Sequence, residues 1–283
     1  VLMRPIWMAA CAVVLLAGGW STYTLLPQAR AALHWDRYHL ANNAENAVNG
    51  DLSLAKVQAD FQAQQSDEQL IRFKTEMLSQ IVAVNPCDAR AHLKLAANLL
   101  KEFNLQGADA MNQMTVTQIR DSAISSNFSN SKDLQEWLER AFGERSQLLY
   151  RALYHSHQAR RLCPLQGEAY TFLAGLAFLE GRGKQEVEAL WQQALTVGPC
   201  DSDVLFEVGT QLLAARRPEQ AFQVWKVLFK SPTRHQLQVV HAIAPHIPAE
   251  GLLGLLEPGP SVLQPIWQHY SQQRTEQVWV AIQ

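Results

Sequence analysis

The chain has 283 residues, of which 48% are hydrophobic and 18% charged, and its net charge is −2. Such a composition is globular, with ample apolar material for a core, and its near-neutrality excludes a strong field that would recruit nucleic acid or anionic lipid. The four cysteines are too widely spaced for a disulfide-stapled mini-domain, and none forms the Cys-x-x-Cys pattern of a thioredoxin-like site, a haem attachment or a zinc ribbon.

The first element is an uncharged stretch from Pro5 to Leu26. At a helical rise of about 1.5 Å per residue it reaches roughly 33 Å, close to the hydrocarbon thickness of about 30 Å. Trp7 stands near one end, with Trp20 and Tyr23 near the other, where amphipathic rings suit the two membrane interfaces. The expectation is a single-pass anchor over 1–31. The competing reading is a cleavable signal peptide ending near Ala29-Arg30-Ala31, against which the apolar run is long. A short leader carrying only Arg4 points to a soluble part outside the cytoplasm, in a periplasm-like space.

Beyond the anchor the pattern is helical. Asn49-Gly50-Asp51 followed by Ala55 and Ala59 fits a turn and a helix, and residues 66–85 read as an amphipathic helix. Pro86, Pro164, Pro199 and Pro232 each close an apolar-periodic segment, at intervals of 78, 35 and 33 residues. Proline cannot continue a helix, so each marks the exit of one. The last two intervals match one helix-turn-helix unit of about 34 residues, and the first predicts about two units plus an insertion. Residues 104–131, rich in Asn, Gln, Ser and Thr, are the predicted insertion, with a short helix around Thr115–Ala123. After residue 234 five prolines cut the chain into short helices, a predicted cap in which Leu252-Leu253 and Leu255-Leu256 cover the last apolar face.

Within 164–232, Tyr170, Leu173, Ala174 and Ala177 share one helix face, and Val187, Trp191 and Ala194 form the inner face of the next helix. Leu205, Val208, Gly209 and Leu212, then Ala221, Trp225 and Leu228, repeat the arrangement. Small Ala174 and Gly209 permit close helix approach, and bulky Trp191 and Trp225 fill the gap. His92, Leu95, Ala96 and Leu99 hold the same first-helix positions earlier in the chain. These alternating positions resemble the tetratricopeptide repeat (TPR) family, well over 164–232, fairly over 89–100 and weakly over 33–62. The resemblance implies an all-α fold, a TPR-like α-solenoid of helical hairpins behind one transmembrane helix. Its parts are N-terminal repeats at 32–103, the insertion at 104–131, further repeats at 132–233 and a cap at 234–283. It also implies a concave groove, whose matching positions are Leu93, Leu100, Thr171, Phe178, Phe206 and Leu213. These are mostly apolar, which suits a hydrophobic or amphipathic partner segment rather than a carboxylate. The alternative expectation is a groove filled in cis by the insertion or the tail.

No motif for chemistry emerges. His155 and His157, two apart on a helix, point away from each other and make a poor metal pair. Gly181-Arg182-Gly183-Lys184 lacks the first glycine of a phosphate loop and reads as a helix–helix turn. Glu136, Glu139 and Arg140 read as one solvated face. Cys163 and Cys200 hold similar places in successive units. Stacked units keep such positions beyond the Cα separation of about 7 Å that a disulfide tolerates, so both read as small buried residues. The expected protein is a non-enzymatic scaffold without cofactor or metal, an accessory or assembly subunit binding protein partners of a membrane or envelope complex. The alternatives are a secreted TPR adaptor, or an envelope enzyme without recognisable motif.

Overall fold

The structure, a computed structural model, describes residues 28–42, 56–106, 114–126, 128 and 130–271, except 232, 261, 265 and 269. Among the described residues every regular element is helical and there is no strand. The chain is all-α. The predicted anchor at 5–26, with Trp7, Trp20 and Tyr23, lies outside the described residues, as do Asn49-Gly50-Asp51, Ala55 and Pro232. None of the described helices is long and apolar enough to cross a membrane.

Two units are distinguished, dividing between Cys163 and Pro164. The first holds α1 (28–42), α2 (Lys56–Val84), α3 (Ala89–Leu105), α4 (Val116–Ser126), α5 (Ser131–Phe142) and α6 (Ser146–Leu162). The second holds α7 (Gly167–Gly175), α8 (Lys184–Val197), α9 (Ser202–Ala214), α10 (Pro218–Leu228), α11 (Arg234–Ile243) and α12 (Ala249–Leu256).

In the first unit α3 packs along both α2 and α6. Its apolar stripe, Ala91, Leu95, Ala96, Leu99 and Phe103, is buried, as the 3.6-residue period requires. The 78-residue interval therefore holds one helix pair, α3 with α6, rather than two units, and α4 and α5 are inserted between its members. Helix α2 begins at Lys56, well before the expected start at 66, and runs on as one helix. The predicted short helix of the insertion is α4, anchored by buried Ile119 and Ala123. Helix α1 docks at the start of α3. There the Trp35 indole donates to Asp88 Oδ2 at 3.2 Å, and the Arg90 guanidinium lies over the Trp35 ring at 5.4 Å.

In the second unit α7 packs with α8 and α9 with α10, and α9 also lies against α7 and α8. Each pair is closed by a turn that the local residues dictate. Gly181 adopts φ +66°, the left-handed region that glycine enters without steric cost. The Glu186 carboxylate accepts the Gly183 N–H at 3.0 Å and caps α8, so Gly181–Lys184 is a helix–helix turn. Pro218 opens α10 at a position where its missing N–H costs nothing. The tail forms short helices: α11, a 3-10 turn at Ala244–His246, and α12, which packs on α10. Of the four leucines expected to cover the last face, Leu252 and Leu256 are buried, whereas Leu253 and Leu255 are exposed. On an eight-residue helix only one side can face inward.

Candidate functional site

The hairpin of α9 and α10 shows why the small and large residues alternate. A Cβ built on Gly209 would lie 2.2 Å from Trp225 Nε1, so only glycine lets α9 approach that indole. Trp225 is 2% exposed, and its Nε1–H points to the Phe206 carbonyl at 3.4 Å. The corresponding Trp191 on α8 is 6% exposed. It donates from Nε1 to Gln211 Oε1 at 2.6 Å, while Gln211 Nε2 donates to the Thr171 carbonyl at 3.2 Å and to Glu207 Oε1 at 2.8 Å. One buried amide thus ties α8 and α9 to α7. Arg217, at the turn before α10, pairs with Glu188 of α8.

The six expected groove positions do not behave alike. Leu93, Thr171 and Phe178 are buried core residues, so they line no open channel. Phe178 turns inward because α7 stops at Gly175, and residues 177–180 continue as a 3-10 helix. Its tighter winding, three residues per turn, shifts the side chains that follow. Leu100, Phe206 and Leu213 are half-buried. Phe206 is stacked on the His235 imidazole with centroids 4.6 Å apart. That imidazole reaches Asp203 Oδ1 at 2.5 Å and Gln238 Oε1 at 2.7 Å, and Arg234 pairs with the same carboxylate at 3.1 Å. Burial alone would raise the Asp203 carboxyl. The hydrogen bonds and charges of His235 and Arg234 outweigh it and hold the carboxyl below the usual range.

A trough of about 300 Å³ lies between α10 and α12, lined chiefly by Phe222, Gly254, Leu255 and the stem of Lys226. The Lys226–Glu257 ion pair, at 2.6 Å, stands beside it. Sequence reading missed this feature, since its walls come from helices whose facing sides are set by packing. Glu136, Glu139 and Arg140 are exposed, as expected.

Three features depart from expectation or went unread. Cys200 is exposed rather than buried and Cys163 is half-buried; with exposed Cys87, all three are free thiols. Cys200 faces outward because it occupies the turn ahead of α9, not a helix face. That turn, Pro199-Cys200-Asp201, repeats Pro86-Cys87-Asp88, and in both the aspartate caps the following helix. Asp88 Oδ1 accepts the Ala91 N–H at 3.0 Å, and Asp201 Oδ1 accepts the Asp203 N–H at 2.9 Å. The repeated tripeptide was a readable signal. His155 turns away from His157, as expected, but pairs with His92, whose partner no local pattern could announce. No group of three or more candidate ligands that could hold a metal occurs among the described residues. No protein-family model, curated protein or solved structure matches this chain.

Proposed function

We propose that this protein is a membrane-anchored TPR-like scaffold that acts by binding protein segments, as an accessory or assembly subunit of a membrane or envelope complex. The observation that carries the reading is the recurring hairpin: Gly209 admits the Trp225 indole between α9 and α10, and Trp191 takes the matching place on α8. Helical pairs that hide their apolar sides only against neighbours are built for extended surfaces rather than for enclosed reaction sites. The apolar stretch at 5–26 is the anchor in this reading, and the soluble part is extracytoplasmic. Anchoring raises the effective concentration of the scaffold beside membrane partners, so two weak contacts act together. Of the expected groove positions, Phe206 and Leu213 in the second unit and, separately, Leu100 in the first are half-buried and within a partner's reach.

The test is site-specific photocrosslinking of the full-length chain in native membranes. Crosslinkers at Phe206 and Leu213 are expected to capture the same partner, and one at exposed Lys132 is expected to capture none. Deleting residues 1–27, which leaves α1 whole, should weaken capture at least tenfold. Equal labelling at all three positions would refute the assigned surface, and undiminished capture without the leader would refute the anchoring role.

A further inference from the structure

His92 on α3 and His155 on α6, 63 residues apart in sequence, meet with their Nδ1 atoms 2.8 Å apart. His92 is 3% exposed, and its Nε2 lies 3.1 Å from the Pro86 carbonyl oxygen. A carbonyl oxygen only accepts, so His92 Nε2 carries the hydrogen. In a neutral ring its Nδ1 is then a lone pair, and His155 Nδ1 must be the donor. The hydrogen-bond chain runs from His155 through His92 to Pro86, with both tautomers set by geometry.

This arrangement counts protons. One added proton fits on His155 Nε2 without breaking either hydrogen bond. A second would set two N–H groups against each other across 2.8 Å. In the unfolded chain both imidazoles take up a proton near pH 6.5, so the folded pair holds fewer protons than the unfolded chain in acid. The surroundings act in the same direction. On α6 the Arg151 charge bears on His155, and the Tyr154 ring stands edge-on at 5.1 Å. On α3, Asp88 is engaged with Trp35 and the Ala91 N–H, and Arg90 lies over Trp35. Helix α2 brings no charged side chain from Met77 to Val84. Among the described residues no carboxylate hydrogen-bonds either imidazole.

We propose that the Pro86–His92–His155 chain is an acid-sensitive latch. It holds the Pro86–Asp88 turn and the start of α3 against α6, and double protonation releases them, loosening the contact between Asp88 and Trp35 of α1. Burial, then His92 and Arg151, push the His155 imidazole down to about 4, which agrees with a pair that resists protonation. The second Pro-Cys-Asp turn carries Leu205 where the first carries His92, so α9 has the same turn without the latch.

Backbone hydrogen exchange of the full-length chain, corrected for intrinsic rates and followed from pH 7 to pH 4.5, tests this. Exchange over residues 86–95 is expected to rise at least tenfold more than over 199–208. His92→Leu, which copies the second turn, should abolish the difference. Imidazole ¹⁵N spectra at pH 7 should place hydrogen on Nε2 of His92 and Nδ1 of His155. An equal rise in both turns, an acid response that survives His92→Leu, or two imidazoles titrating independently would overturn the latch. If His92→Leu does not fold, the ¹⁵N spectra and the comparison of turns in the unsubstituted chain still decide.

Discussion

Gly209→Ala puts the central packing argument at risk. The added methyl would sit 2.2 Å from Trp225 Nε1, 2.6 Å from Cδ1 and 2.7 Å from Cε2, all well inside van der Waals contact. The indole is 2% exposed and has no open space to swing into. Overpacking of this kind costs about 1–3 kcal/mol. Displacing the ring also loses its bond to the Phe206 carbonyl, a further loss of about 1 kcal/mol. Alanine in a helix returns about 1 kcal/mol relative to glycine. The net expectation is a loss of roughly 2 kcal/mol, seen in urea unfolding followed by tryptophan fluorescence as a midpoint lowered by about 1 M. Gly254→Ala is the control. That glycine is also helical and its Cβ would meet nothing within 4 Å, so it should stabilise by up to about 1 kcal/mol. Adding Trp225→Ala to Gly209→Ala removes the clashing ring, and the double variant should be less destabilised than the sum of the singles. Gly209→Ala matching the parent in midpoint, or strict additivity in the cycle, would refute the close-approach reading.

Two buried amides should respond oppositely to leucine. Gln211→Leu strands the Trp191 N–H and is expected to cost about 1–3 kcal/mol in urea unfolding. Asn98, 4% exposed with an unpartnered Nδ2, should tolerate leucine at no cost or gain about 1 kcal/mol. Asp201→Ala removes the acceptor that caps α9 and should cost about 1 kcal/mol. The Asp203 carboxyl is held below its ordinary range, so the unfolded chain binds its proton first as pH falls. Its contribution is full above the ordinary carboxylate range, near pH 4, and is lost below it. Asp203→Asn should therefore flatten the stability–pH profile below about pH 4 in acid titration monitored by circular dichroism.

The features legible in the sequence are those in which neighbours along the chain decide the outcome. Prolines 86, 164 and 199 stand two residues beyond helix ends at Val84, Leu162 and Val197, because a ring that fixes φ and lacks an N–H stops a helix wherever it occurs. The stripe of Leu205, Val208, Gly209 and Leu212 is buried as its period demands. Pairing across long intervals is a different matter. Nothing near Leu99 or Ala152 announces that α3 will pack on α6 with two helices inserted between them, since many closures of that loop cost similar entropy. The burial of Phe178 depended on α7 yielding to a 3-10 turn, and exposed Cys200 on a turn that presents it outward. The meeting of His92 and His155 is likewise a product of tertiary packing. Periodicity and breakers specify which segments become helices and which side of each is apolar, because those are properties of a few adjacent residues. Which apolar sides meet, and which polar atoms are trapped together when they do, is decided only when the chain closes on itself and burial makes each contact depend on all the others.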